Sequence, residues 1–216
     1  MNWSRRKISI SAVAFLAGCT PLSGNHAEPG NGISASKSNL NISSHRIKDS
    51  AQTWMENYIP NVELTNEKNQ KVFFYDDLLR EKVVMINFFF TACSGICPLS
   101  TANLIRVQKS FGNHLGRDVF IYSITLDPET DTPEVLKRYA TAFGAKPGWS
   151  FLTGDFDDIE LLRHRLGIFD PDPVLDADKT QHGGLFVYGN EATGKWTAGP
   201  SMWKPSEIVR SVLRVM

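Results

Sequence analysis

Residues 83–98 read VVMINFFFTACSGICP. The first eight form an apolar run interrupted only by Asn87, which suits a strand covered on both faces of a sheet. Two cysteines follow, Cys93 and Cys97, and Pro98 then fits the first turn of a helix, where its missing N–H costs nothing. Open α/β sheets gather ligands at the carboxyl ends of their strands, where loops and helix starts converge. The partial positive charge of a helix N-terminus stabilises a thiolate, which is both the nucleophilic and the metal-binding form of sulfur.

Cysteines four apart on a helical turn share a face, so both sulfurs can meet one object. That object is a metal ion or the other sulfur. A thioredoxin-type redox motif has two residues between its cysteines, whereas here there are three. A peroxidatic cysteine follows a threonine three positions upstream, and Thr91 stands two before Cys93. Structural zinc takes four protein ligands, and no second cysteine pair supplies them. Metal binding and redox use are therefore both open, and both are favoured over a structural disulfide.

Outward from this stretch, strands and helices alternate. KVFFYDD reads as a short strand running into a turn, and residues 118–126 (DVFIYSITL) as a second apolar strand. Between 98 and 116, Leu104, Val107, Phe111 and Leu115 recur at helical spacing and predict one continuous face. Thr132 and Pro133 mark a helix start, and Gly144 its left-handed end. WSFLTG predicts a short strand, DFDDIELLRHRLG a helix, and residues 185–189 (LFVYG) a late strand. A turn over 190–194, a last strand from Lys195 and a closing helix PSEIVRSVLRVM complete the pattern. Such alternation argues for an α/β sandwich. No internal repeat is present.

The third cysteine belongs to a different story. The chain opens MNWSRRKISISAVAFLAGC, with Arg5, Arg6 and Lys7 before an apolar stretch too short to span a bilayer. Residues 1–18 thus read as a signal peptide. Leu-Ala-Gly-Cys looks like a lipobox, which makes Cys19 the lipidated N-terminus of a protein anchored at the periplasmic face of a bacterial membrane. Cys93 and Cys97 would then be the mature thiols, in a compartment where an unprotected dithiol tends to be oxidised. Without the leader, 20 basic residues face 23 acidic ones, a net charge of −3. That balance gives no basic surplus for nucleic acid, so no nucleic-acid partner is expected. Residues 19–50, rich in Ser, Asn and Gly, predict a flexible tether. Residues 51–216 suit one domain with a real core.

Of five histidines, His26 and His45 fall in the tether, and His114 and His164 read as solvated surface residues. His182 differs, because it stands in KTQHGG directly before the strand LFVYG. If that strand runs antiparallel beside the strand over 83–90, His182 faces the cysteine turn, and the flanking glycines permit close approach. Two thiolates and an imidazole form a soft set suited to copper, Cu(I) foremost and Cu(II) with an added oxygen. The acidic loop FDPDPVLDAD (169–178) offers carboxylates that could orient the imidazole. It lacks the glycine and glutamate spacing of a calcium loop.

Three features together resemble the Sco/SenC family of copper-binding proteins. They are F-x-T-x-C-x-x-x-C-P over 89–98, SITLDPETDTP over 123–133, and the isolated His182 before a late strand. The resemblance implies a thioredoxin-like sandwich with a central mixed sheet flanked by helices. It implies copper on Cys93, Cys97 and His182, delivered to the dinuclear copper centre of a cytochrome oxidase subunit. The family often places an acidic residue between the cysteines and an aspartate before the histidine. Here those positions hold Ser94-Gly95-Ile96 and Gln181. Two other functions use the same dithiol: a thiol–disulfide reductase that keeps a copper site's cysteines reduced, and a redox or copper sensor.

Overall fold

Strand 83–90 earns its central place because both its faces are apolar. In the protein, seen as a computed structural model, the described residues are 55–179 and 184–216. The leader, Cys19 and its lipidation, the tether with His26 and His45, and His182 all lie outside them. Seven strands are described: β1 (Glu63–Asn66), β2 (Lys71–Phe73), β3 (Val83–Phe89), β4 (Val119–Thr125), β5 (Trp149–Gly154), β6 (Leu185–Asn190) and β7 (Lys195–Pro200). They form one sheet in the order β2-β1-β5-β4-β3-β6-β7. β3, β4 and β5 run parallel, while β6 lies antiparallel to β3 and β1 antiparallel to β5. The mixed sheet expected from sequence is thus present.

Every residue of β3 is buried, and the strand's two-residue period sends alternate side chains to opposite cores. Val84, Ile86 and Phe88 pack with Leu64, Tyr122, Ile124, Leu152, Ile159 and Leu162. Val83, Met85 and Phe89 pack on the other face with Leu104, Val107, Phe111, Leu136, Ile208 and Val212. Each such side chain contributes about 1.5–3 kcal/mol when fully buried. Asn87, the polar exception, accepts a hydrogen bond from the Ser123 hydroxyl at 2.7 Å, and Ser123 in turn accepts from the Trp149 indole at 3.0 Å.

The helices are α1 (Ile96–Phe111), α2 (Pro133–Phe143), α3 (Phe156–Arg165), the single turn α4 (Pro173–Asp176) and α5 (Pro205–Leu213). α2 starts and stops as its sequence predicts. The Thr132 hydroxyl accepts the Val135 N–H at 3.4 Å, and Gly144 adopts φ 75°. α1 is shorter than its apolar spacing predicts. Gly112, at φ 53°, ends it, and a 3-10 turn over Gly112–His114 puts Leu115 beyond the helix, still packed against the core. The predicted strand KVFFYDD keeps only three residues before a π-helical turn, Phe74–Leu79. β1, with the sequence ELTN, has one apolar residue, Leu64, which is fully buried, and the strand is found through its pairing with β2 and β5. Among the described residues no helix is long and apolar enough to cross a membrane.

Candidate metal centre

At the carboxyl end of β3 the chain turns, with the Cys93 N–H donating to the Phe90 carbonyl at 3.3 Å. α1 begins at Ile96, so Cys97 is helical while Cys93 belongs to the turn before it. The expectation that both cysteines share one helical face is therefore corrected. Gly95, at φ −98° and ψ −119°, is the non-helical residue before the helix and leaves Cys93 outside it. The two sulfurs nevertheless meet: the thiols are free, hydrogen-bonded to each other and both buried.

Their surroundings make them unequal. Burial acts to raise the Cys93 pKa, but a hydrogen bond from the Cys97 thiol and the N–H groups of Cys97, Gly95 and Ile96 outweigh it. Cys93 is thus held below the ordinary thiol range by a cradle of N–H dipoles at a helix start. Cys97 is pushed upward by burial first, and then by its donation to Cys93. Iodoacetamide added to the reduced, metal-free chain should accordingly modify Cys93 about tenfold faster than Cys97 near neutral pH. Peptide mass mapping after short exposure measures this, and equal rates would contradict the asymmetry.

Hydrogen bonds from neighbouring elements fix the cysteine arm. Asp131, fully buried, accepts hydrogen bonds from the Thr91 N–H at 3.0 Å, from the Thr91 hydroxyl, and from the Thr125 hydroxyl at 2.5 Å. Thr91 stands two residues before Cys93, so Asp131 ties the cysteine turn to the end of β4. Behind Cys97, the Thr101 hydroxyl donates to the Cys97 carbonyl at 2.9 Å and lies 3.0 Å from the Tyr139 hydroxyl. Burial raises the Tyr139 pKa to about 12. Its ring packs on Phe89, Phe143 and Phe151 at centroid distances of 5.3, 4.7 and 5.9 Å. In the sequence Asp131 stands only as the residue before the Thr132–Pro133 helix start, with nothing local to mark this role. The available signal was Thr91 and Thr125 at the ends of two apolar strands, with an aspartate six residues after the second.

β6 pairs with β3 through Val83↔Asn190, Val84↔Gly189, Met85↔Tyr188 and Ile86↔Val187. Its first residue, Leu185, is therefore directed toward the end of β3 that leads to Cys93. The antiparallel condition attached to His182 is met by the strand; His182 itself lies outside the described residues. The loop before it is described as far as Lys179. Three of its aspartates are occupied: Asp170 accepts the Asp172 N–H, Asp172 caps Val174, and Asp176 accepts from Arg163 and from the Asp170 N–H.

The remaining described histidines are on the surface, each with a partner. His114 Nδ1 lies 2.6 Å from Asp118, and His164 stacks on Phe169 at 5.0 Å. Glu160, His164 and Asp176 offer ligand atoms within 4.8 Å of one another. The buried Arg163 guanidinium binds both carboxyl groups, at 2.6–2.7 Å, and fills the role a cation would take there. That group is an anchor for the loop.

Comparison with known proteins gives a consistent picture. The SCO1/SenC family model matches residues 51–215. A SCO1/SenC family lipoprotein from Bacillus anthracis is 27% identical, with a TM-score of 0.60 over 73% of this chain and 94% of that one. ScoI of Bradyrhizobium japonicum with copper bound is 26% identical, with a TM-score of 0.57 over 71% and 96%. BsSco, described with a disulfide switch and as a member of the Sco family of cytochrome c oxidase assembly proteins, is 25% identical, with a TM-score of 0.58 over 71% and 90%. The chain matches 58% and 63% of the length of two curated bacterial relatives.

Proposed function

The chain belongs to the SCO1/SenC family, with its thioredoxin-like fold, and from that premise we propose that it binds copper through Cys93, Cys97 and His182 and hands the ion to a cuproenzyme. The observation that carries this reading is the dithiol: two free, buried sulfurs in contact, one cradled by three N–H groups at a helix start. Such a cradle favours thiolate, and thiolate with imidazole is a soft donor set matched to Cu(I). The copper-bound ScoI structure supports the same cargo. The recipient is the dinuclear copper centre of a cytochrome oxidase subunit or of a similar cuproenzyme.

Copper is the cargo here, and the chain's own residues prepare its seat. Cys93 presents sulfur already biased toward the charged form. Cys97 gives up its proton to become the second donor, so binding is coupled to proton release. Asp131 and Thr91 hold the turn, and Thr101 holds the first turn of α1. Lipidation at Cys19 would anchor the domain at the periplasmic face of a bacterial membrane, within reach of a membrane-embedded recipient. The B. anthracis relative's description as a lipoprotein supports that placement.

The experiment is an anaerobic Cu(I) titration of the reduced chain against a chromophoric chelator. One copper per chain is expected, and His182→Ala should weaken binding about tenfold or more, because even outer partners of ligands cost about 10–100-fold. Parent affinity in His182→Ala would remove the histidine from the site. The contact between the sulfurs also favours a second reading, in which the pair cycles between dithiol and disulfide as reductase or sensor. Reduction of a disulfide substrate that needs no metal and survives His182→Ala would favour it.

A further inference from the structure

Asn103 is buried on α1, and it spends its side-chain amide outside the helix. The amide donates to the carbonyls of Ser201 and Trp203, each at 2.8 Å, on either side of Met202. The turn over 201–203, between β7 and α5, is thereby latched to α1. The Trp203 N–H donates to the Pro200 carbonyl at 3.2 Å, and a Cβ on Gly199 would fall 2.9 Å from the indole ring. Two large apolar side chains are thus held in place and left in the open: Met202 is 52% exposed and Trp203 39%.

The latch places them along the helix that carries Cys97. Ile96, Leu99 and Asn103 stand at i, i+3 and i+7 on α1 and follow one stripe of its surface. Ile96 opens that stripe with one of the N–H groups that cradle Cys93. Leu99 continues it at 59% exposed, and Asn103 joins it to the turn. An apolar strip therefore runs from the cysteine turn to the turn over 201–203. No Asp, Glu, Lys, Arg or His occurs in 83–105 or in 196–203. Single exposed apolar side chains are ordinary, but a contiguous patch marks a contact surface, and Trp and Met are enriched at such contacts.

Cys93 and Cys97 are buried, so an acceptor's ligands reach them only when the acceptor lies flat against what surrounds them. Charged groups of a partner would lose water on this strip and meet no opposite charge. We propose that Ile96, Leu99, Met202 and Trp203 form the docking surface for the copper acceptor, a protein with an apolar, uncharged face around its own thiol ligands. The inference rests on the copper reading given above. Transfer across the surface moves Cu(I) as an ion: the two sulfurs here take up protons, the acceptor's thiols lose theirs, and no electron changes hands.

The reduced full chain, loaded anaerobically with Cu(I), is mixed with the copper-free soluble domain of the oxidase subunit that carries the dinuclear copper centre. Native mass spectrometry of timed samples reads the copper on each chain. Leu99→Ser combined with Met202→Ser is expected to slow transfer at least about tenfold, since a few anchors carry most of a contact's energy. Its Cu(I) affinity and its copper loss to a small chelator should match the parent's. Lys109→Ser, further along the same helix, should transfer at the parent rate. The parent rate in the double variant would overturn the docking surface. So would equal slowing toward the small chelator, which assigns the effect to the metal site itself. A parent dimer that the double variant dissociates would give the strip to a second copy and overturn the acceptor as its occupant. A parent that holds Cu(I) but passes none to the oxidase domain would overturn it too. A parent that binds no Cu(I) would instead fail the copper reading beneath the inference.

Discussion

Cys97→Ser is expected to lower Cu(I) affinity at least about a hundredfold, beyond what loss of an outer partner costs. A hydroxyl is a hard, largely protonated donor at neutral pH and does not replace a thiolate for a soft ion. Geometry adds to the effect. The Cys97 sulfur donates to Cys93, so its removal takes away one proposed ligand and one of the groups holding the other sulfur in its charged form. Serine keeps the Thr101 contact, which goes to the residue 97 carbonyl, and so should leave α1 intact. Competition titration measures the loss, and far-ultraviolet circular dichroism checks the fold. A fully folded Cys97→Ser chain with parent affinity would show that copper sits elsewhere.

Asp131→Ala should destabilise the reduced, metal-free chain by about 3 kcal/mol. A buried donor stripped of its acceptor costs about 1–3 kcal/mol, and this change strips the Thr91 N–H and leaves the Thr91 and Thr125 hydroxyls to find new partners. Hydroxyls rotate and recover part of the cost; the Thr91 N–H is fixed by the backbone. Asp131→Asn retains one acceptor oxygen and should lose about half as much. Urea unfolding followed by tryptophan fluorescence reads both values. A loss below about 0.5 kcal/mol for alanine, the range of ordinary surface substitutions, would show that the turn is held by its own backbone contacts.

Much of this arrangement was legible in the chain, for stated physical reasons. The run over 83–90 announces a doubly covered strand because period-two alternation fails when both faces are apolar. Thr132, Pro133 and Gly144 announce α2 because caps are local chemistry. What is not legible is what depends on a remote partner. β1 has a single apolar residue, Leu64, too little for a periodic signal, and gains its identity from pairing with β2 and β5. Leu115 keeps the helical spacing of α1 although Gly112 has ended the helix, because periodicity does not register a single left-handed residue. At the candidate site, Cys93 and Cys97 stand out by type and spacing. Asp131 does not, because its importance comes from two threonines, one 40 residues upstream and one six.

The register of β6 on β3 bears on when the site comes into being. Val83 pairs with Asn190, a separation of 107 residues, after β4, β5 and α1 to α4 have intervened. Contacts so distant in sequence carry a large loop-closure cost and tend to form after local ones. The cysteine turn, in contrast, is closed by its junction with α1 and by the Thr91 contact with Asp131, 40 residues away. By that tendency the cysteine turn forms ahead of the β6 pairing, and the copper site proposed above, which draws on the segment before β6, would be completed only afterwards.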